Sequence, residues 1–214
     1  MPYFVGFVSQ KGGVGKSSLA RTFAAEMARN ELSTLLCDMD TQQKTARNWV
    51  QRREASGIEP AVEAAVIETP AAAKRIADRY DVVVLDGLPH SSSHTEDIAK
   101  IADMVVLPTG QSLDDLEPTV ELAHSLVTRG IPVSRIAIVL CRTSSDVEVA
   151  GAREYLAATD YYVCDGHIPF KTGYSAAGDA GRSLTEAAYP SLREHADTVI
   201  QALIDRLSTI TEEN

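Results

Sequence analysis

Residues 11–18 read Lys-Gly-Gly-Val-Gly-Lys-Ser-Ser, with two lysines five positions apart in a glycine-rich turn. Gly12, Gly13 and Gly15 let successive backbone N–H groups turn inward, and such a nest attracts anionic oxygens. The turn follows an apolar run at 3–9 and opens a segment of helical periodicity, so the dipole of a helix N-terminus adds to the attraction. Strand, Gly-Lys-Ser and helix, in that order, is the context a phosphate-binding loop requires. Lys16 is placed to reach terminal phosphates, and the Ser17 hydroxyl to hold magnesium beside them. The standard spacing wants glycine at position 10, where this chain has Gln10, followed by the additional Lys11. Carboxylates complete the set. Asp86 closes the apolar run DVVVLD, the arrangement in which an acid holds magnesium or its water. Asp38 and Asp40 close STLLCDMD on alternate positions, hence on one face of a strand. Near a terminal phosphate, one of them could position an attacking water. A helix cap or an ion pair is the other reading of each. Ser17, Asp38 and Asp86 are the candidate metal-holding residues.

The elements that must position these residues alternate. Strand-like runs at 3–9, 33–40, 61–67, 81–86, 102–108, 134–141 and 162–169 are interleaved with helix-like runs at 16–30, 44–56, 70–80, 113–130, 146–159 and 190–208. Strands without polar alternation are covered on both faces, and strand–helix alternation implies a parallel sheet. The expected fold class is α/β: a doubly wound, mainly parallel sheet flanked by helices. A single domain is expected over residues 1–208, with a frayed tail at 209–214. Ligands of such sheets bind beyond the carboxyl ends of strands. Lys11–Ser18, Asp38, Asp40, Asp86, Pro108 and Pro169 all fall just there.

The composition restricts the remaining possibilities. The 214 residues contain no apolar run approaching the roughly 20 residues of a membrane span. MPYFVGFVSQ lacks a basic leader segment and reads as a buried strand, which points to the cytoplasm. Cys37, Cys141 and Cys164 are odd in number and far apart, so a disulfide scaffold, a zinc site or an iron–sulfur site is not indicated, and small core residues are expected. The net charge of −10 counts against a protein dedicated to coating nucleic acid, while leaving room for a local basic patch.

The motifs together resemble one family. K-G-G-V-G-K-S is similar to the deviant Walker A box of the ParA/MinD ATPases. D-M-D-T-Q-Q resembles their first switch segment, and V-V-V-L-D-G-L-P their Walker B and second switch segment. ADMVVLPTGQSLDDL and HIPF…AGRSLTEAAYPS extend the likeness over nearly the whole chain, which is most similar to small ParA proteins without an N-terminal helix-turn-helix. The resemblance implies a P-loop ATPase with ATP and Mg²⁺ as cofactors, cradled by Lys11, Gly12, Gly13, Val14, Gly15, Lys16, Ser17 and Ser18. It implies that the second lysine, Lys11, reaches across an ATP-dependent homodimer to the phosphates of the other subunit, as a trans cation. It implies that Asp40 orients the hydrolytic water, with Lys11, Lys16 and Asp40 the catalytic set, and that Asp86 is the Walker B acid. Departures are visible. Thr41 follows the switch acid where proline is usual, which should loosen that turn, and Gly87-Leu88 replaces Thr-Pro or Thr-Ala. Cys141 and Arg142 stand where relatives often carry an adenine-reading Asn. Arg142, Pro169 and Phe170 are the adenine-site candidates, with core or loop packing as the alternative.

The same resemblance implies a job: positioning or segregating a cargo such as a plasmid, a chromosome or a protein complex. A ParB-like partner stimulates hydrolysis, and non-specific DNA serves as the matrix, so the ATP state is nucleoid-associated. Basic clusters exist at Lys44, Arg47, Arg52 and Arg53 and at Lys74, Arg75 and Arg79, each equally readable as a solvated helix face. Residues 171–214, where relatives often place DNA contacts, carry four basic against seven acidic side chains; Arg182, Arg193 and Arg206 are the candidates there. A MinD-like membrane role needs a basic amphipathic C-terminal helix, whereas IQALIDRLSTITEEN ends acidic, so no membrane is expected. A metabolic or maturation enzyme of the same superfamily is the remaining alternative. His90 and His94 in PHSSSH read as a polar loop or a partner contact, and Trp49 as a core aromatic.

Overall fold

The computed structural model describes residues 1–88 and 92–212. Apolar pentads and hexads build its centre. β1 (Tyr3–Phe7), β2 (Thr34–Asp38), β4 (Val82–Asp86) and β5 (Met104–Thr109) are buried almost throughout, because helices cover both of their faces. With β3 (Glu63–Val66), β6 (Ile136–Thr143), β7 (Tyr162–Val163) and β8 (Ile168–Pro169) they form one sheet in the order β3-β2-β4-β1-β5-β6-β7, with β8 on the end of β6. Every pairing is parallel. β1 is the switch point: the chain leaves it toward β2 on one side and later reaches β5 on the other.

Alternation across the strands divides the core into two layers. Val5, Phe7, Leu36, Val84 and Val106 face α1 (Lys16–Arg29), α2 (Thr45–Ala55) and α8 (Pro190–Glu212). Phe4, Val8, Leu35, Val83 and Leu107 face α3 (Pro70–Ile76), α4 (Ser92–Ile101), α5 (Leu113–Thr128) and α6 (Asp146–Ala157). α4 presses so closely that a Cβ on Gly87 would lie 2.8 Å from Ile98 Cδ1 and 3.1 Å from the Phe7 carbonyl oxygen. That close approach accounts for glycine at position 87, directly after β4.

Several expectations are corrected. The run at 162–169 is two short strands, β7 and β8, separated by a turn that contains Gly166. The segment expected as a polar loop at 90–94 passes into α4, which carries His94; His90 lies outside the described residues. α7 (Thr172–Asp179) was not signalled by the sequence pattern. Residues 209–212 are not frayed: α8 runs to Glu212, and Ile210, buried in the core, holds its last turn down. Residues 213 and 214 lie outside the described residues. Arg53 is not part of a basic surface. It is 1% exposed, with its guanidinium held by Glu186 at 2.6 and 2.8 Å and by the Pro60 carbonyl at 2.9 Å, over the Trp49 ring. Arg193 donates to the Ala187 and Ala188 carbonyls, and Arg206 stacks on Tyr162 and donates to the Ser134 carbonyl, so of the three C-terminal arginines Arg182 alone is exposed.

Removing one partner from a buried ion pair leaves the other charge uncompensated, at a cost of about 3–5 kcal/mol. Glu186→Ala should therefore lower the unfolding free energy by about that amount in a denaturant titration; a change within about 0.5 kcal/mol, as at an ordinary surface site, would refute the structural weight given to the pair. The three thiols give a second expectation. All are buried, and burial pushes Cys37 and Cys164 up to about 12 and Cys141 higher still. At pH 8 none should react with an aromatic disulfide reagent in the folded state, and all three should react in guanidinium; prompt labelling of the native protein would contradict this packing.

Candidate functional site

The residues with chemical potential meet at the carboxyl edge of the sheet, around the end of β1. The 11–15 turn leaves β1 and Gly15 hands the chain to α1 with φ at +100°, a left-handed conformation that glycine accepts without strain. A Cβ there would also lie 3.3 Å from the Cys141 side chain. Cys141 is thus the floor beneath the turn, pointing into the core, while Arg142 beside it points outward.

A cavity of about 430 Å³ opens above this turn. Lys11, Gly12, Gly13, Gly15, Lys16, Ser17 and Ser18 form one wall. Asp38, Asp40 and Asp86 form another, with Arg142 at the side. A second cavity of about 290 Å³ adjoins it, sharing Gly15, Ser18, Arg21 and Arg142 and bounded by Pro169, Phe170 and Tyr174. The structure therefore gathers the sequence-derived candidates around two joined cavities, except Val14, which is buried within the turn and lines neither.

The Lys16 ammonium is 2.6 Å from Asp86 Oδ1 and 3.5 Å from Ser17 Oγ, in surroundings that leave Lys16 9% and Asp86 3% exposed. Asp38 is more fully committed to the backbone. Its Oδ1 accepts from the Asp40 amide at 3.0 Å and its Oδ2 from the Ala46 amide at 2.7 Å, in the first turn of α2. Burial pushes the Asp38 carboxyl above the ordinary carboxylate range, against these two hydrogen bonds and with the help of the Asp86 charge. The helix-cap reading of Asp38 is thus realised in the geometry, while its position on the cavity wall is kept.

Asp40 Oδ1 accepts from the Gln42 and Gln43 amides at 3.0 and 2.9 Å. Those bonds restrain the turn that Thr41, lacking proline's fixed φ, was expected to loosen. Asp40 Oδ2 has no hydrogen-bond partner among the described residues, and Asp40 lines the cavity. Lys11 sits at the rim. Its ammonium donates to Asp115 Oδ1 at 2.9 Å and to the Asp114 carbonyl, at the start of α5. Burial disfavours the charge of Asp115, but hydrogen bonds from Lys11 and Ser112 outweigh it and hold the carboxyl below the ordinary range. In the adjoining cavity, Arg142 (φ +56°) lays its guanidinium 4.3 Å over the Phe170 ring.

Among the described residues no three His, Cys, Asp or Glu side chains converge as a metal cage. A cation at Ser17 and Asp86 would need further oxygens from a ligand, which suits magnesium with a phosphate better than a resident structural metal. The donor set, an amide nest with Lys16, a serine hydroxyl and strand-end carboxylates, fits that pair. Arg21, Gln43 and Thr45 also line the main cavity and were missed by motif reading. For Arg21 a signal existed: it stands four residues after Ser17 on α1, hence on the same helix face.

Comparison with known proteins agrees with this geometry. Residues 5–184 match the model of the CobQ/CobB/MinD/ParA nucleotide-binding domain. A curated relative, the maintenance of carboxysome distribution protein A of Gloeobacter kilaueensis, is 34% identical over 130 residues. That match takes in 59% of this chain and 57% of the relative's length. Two solved structures share the fold. The septum site-determining protein MinD of Pyrococcus horikoshii OT3, complexed with Mg-ADP, has a TM-score of 0.76 at 16% identity over 98% of both chains. A putative plasmid partition protein of Borrelia burgdorferi B31, bound to AMPPNP, has 0.71 at 17% identity, over 96% of this chain and 100% of that one. With a parallel sheet, a glycine turn at its switch point and a family match over most of its length, the chain belongs to the CobQ/CobB/MinD/ParA nucleotide-binding domain family.

Proposed function

We propose that this chain is a magnesium-dependent ATPase of the ParA kind whose ATP-bound form is a homodimer. The observation that carries the reading is the single cavity in which the amide nest, Lys16, Ser17, Asp40 and Asp86 converge, with Lys11 at its rim. When bound, ATP supplies a phosphoanhydride and magnesium its counter-charge. The amides of 12–18 and Lys16 hold the phosphate tail. Ser17 and Asp86 hold the metal, and Asp38 stiffens the wall behind them while fixing the start of α2. Asp40, with one oxygen tied to the backbone and one unengaged, orients the water. Arg142, Pro169 and Phe170 flank the base. Lys11 serves the other subunit: it leaves Asp115 and contributes positive charge across the dimer interface as the terminal phosphoryl departs.

In this reading the chain positions or segregates a cargo, and the relative named for carboxysome distribution supports a positioning role. The matrix is non-specific DNA, the cargo is reached through a ParB-like adaptor, and the ATP state resides on the nucleoid. Among the described residues no helix is long and apolar enough to cross a membrane. The net charge of −10 requires any DNA contact to be a local patch that the dimer assembles.

Light scattering with ATP, with ADP and without nucleotide, beside a phosphate-release assay, tests the core of the proposal. A dimer is expected with ATP alone. Lys16→Ala should abolish ATP binding. Asp40→Asn keeps an acceptor for the Gln42 and Gln43 amides but loses the charge; it should retain the ATP dimer while hydrolysis falls about 10²–10⁴-fold, and undiminished turnover would remove Asp40 from the mechanism. Asp115→Ala should release Lys11 and lower the ATP concentration for half-maximal dimerisation by about two- to fivefold, the range of a partly exposed ion pair. Duplex DNA binding measured in the three nucleotide states at two salt concentrations should be ATP-dependent and salt-sensitive; binding in no state would direct the search to a protein matrix.

A further inference from the structure

Arg21 projects from α1 to the junction of the two cavities and lines both. Its Nε is buried without a hydrogen-bond partner, and among the described residues its side chain makes no hydrogen bond and no ion pair within 4 Å. The same fold shows how it buries a guanidinium that serves structure: Arg53 receives the bidentate Glu186 and a backbone carbonyl. Arg21 receives neither. Asp86 and Asp38 attract it only at longer range, and Arg52 repels it. Arg21 as a whole is half-buried, and a partly desolvated cation with no carboxylate beside it gains when a ligand supplies an anion.

We infer that Arg21 is a nucleotide-binding residue whose partner is the phosphate next to the nucleoside, the α-phosphate. This inference rests on the nucleotide reading above. Three observations place the contact. The cavities meet at Gly15, Ser18 and Arg21, so a ligand with its phosphate tail in one and its base in the other crosses at this point. Arg21 stands four and three residues after Ser17 and Ser18 on α1, hence on the same helix face, and helical side chains lean toward the helix N-terminus. The planar fork matches a phosphate's non-bridging oxygens in two parallel bonds, which an ammonium cannot reproduce. Lys16 thereby serves the terminal phosphates and Arg21 the inner one. Arg21 then supports ADP as much as ATP, in contrast to Lys11, whose service is to the ATP dimer.

The test uses the full chain with Mg·ADP as probe, because ADP isolates binding from dimerisation. Calorimetric affinities and melting temperatures without nucleotide are compared for the wild type, Arg21→Met and Arg21→Lys. Arg21→Met should weaken ADP and ATP alike by about tenfold or more, and Arg21→Lys by less. The nucleotide-free melting temperature of Arg21→Met should stay level or rise by up to about 2 °C, because a partly desolvated charge with no partner in the chain is gone. These opposite signs separate a ligand contact from a structural role. Unchanged ADP affinity would overturn the inference. So would a loss confined to ATP-driven dimerisation, which would assign the Arg21 partner to a second copy of the chain, and so would a weakened affinity accompanied by an equally lowered melting temperature. A wild type that binds neither ADP nor ATP would instead overturn the nucleotide reading itself.

Discussion

The buried contact between Lys16 and Asp86, 2.6 Å long, joins the first residue of α1 to the last residue of β4. Two charges so far out of water attract strongly, but their desolvation offsets much of that gain. What the pair does is fix position. It holds the start of α1 over the sheet edge, and the rest of that helix is then braced by polar contacts of its own. Thr22 accepts from the Leu184 amide at 3.0 Å, and Glu26 accepts from the Thr185 hydroxyl. The 184–186 turn they grip is itself clamped to α2 through Arg53 and Glu186. α2 begins where Asp38, in register with Asp86 on the neighbouring strand, accepts the Ala46 amide. The cavity is therefore enclosed by a continuous ring of contacts that returns to the sheet one strand away from its origin.

This ring explains what could be read from the sequence and what could not. The glycine turn, the strand-end acids and the parallel sheet are local or periodic features, so their residues announce themselves through spacing. The ring depends on pairs far apart in the chain. Nothing about Arg53 in a run of basic residues distinguishes it from Arg52; its buried role follows from Glu186, 133 positions away. α4 was hidden for a related reason. Its opening residues, Ser and His among them, have modest helix propensity, and the helix exists because Ile98, Ala99 and the adjoining Ala102 pack on the sheet. α7 carries two glycines and is held instead by Tyr174, whose hydroxyl donates to the Leu192 carbonyl at 2.6 Å. Cys141 was legible as a core residue, but its function as the floor under Gly15 belongs to the contact between β6 and the turn.

Electrostatics give the site its direction. The chain carries ten more acids than bases, yet the main cavity is lined by Lys11, Lys16, Arg21 and Arg142 against Asp38, Asp40 and Asp86. The adjoining cavity adds Arg52 and Lys171, with Asp179 as the acid among the residues that line it. Cations are thus concentrated at one edge of an otherwise acidic molecule, where low-dielectric walls strengthen their field. Lys16 is paired with Asp86 and Lys11 with Asp115, which leaves Arg21 and Arg142 as the lining cations without an ion-pair partner among the described residues. An anion that enters meets donors already gathered at one edge of the sheet, and competes with Asp86 for Lys16 and with Asp115 for Lys11.

Lys11 stands apart from the other cavity cations because its ion pair lies at the rim. Its side chain is 40% exposed, and that of its partner Asp115 is 29% exposed. A contact in such surroundings is worth at most about 1 kcal/mol, whereas hydrogen bonds between an ammonium and a phosphate are charge-assisted and strengthen as water is excluded. The same lysine cannot satisfy Asp115 and a phosphate on another subunit together. In the proposed ATP dimer, closing two chains on two nucleotides would exchange a weak contact within the chain for a stronger one between chains, and would expose the Asp115 carboxylate. In that proposal the exchange would run back when the terminal phosphate is lost, because the ammonium would regain Asp115 as its acceptor. The weakness of the Lys11–Asp115 pair would make the proposed association reversible: a buried, fully paired Lys11 would hold the free chain closed to its partner, and one with no acceptor at all would leave two positive rims to repel each other whenever nucleotide departs.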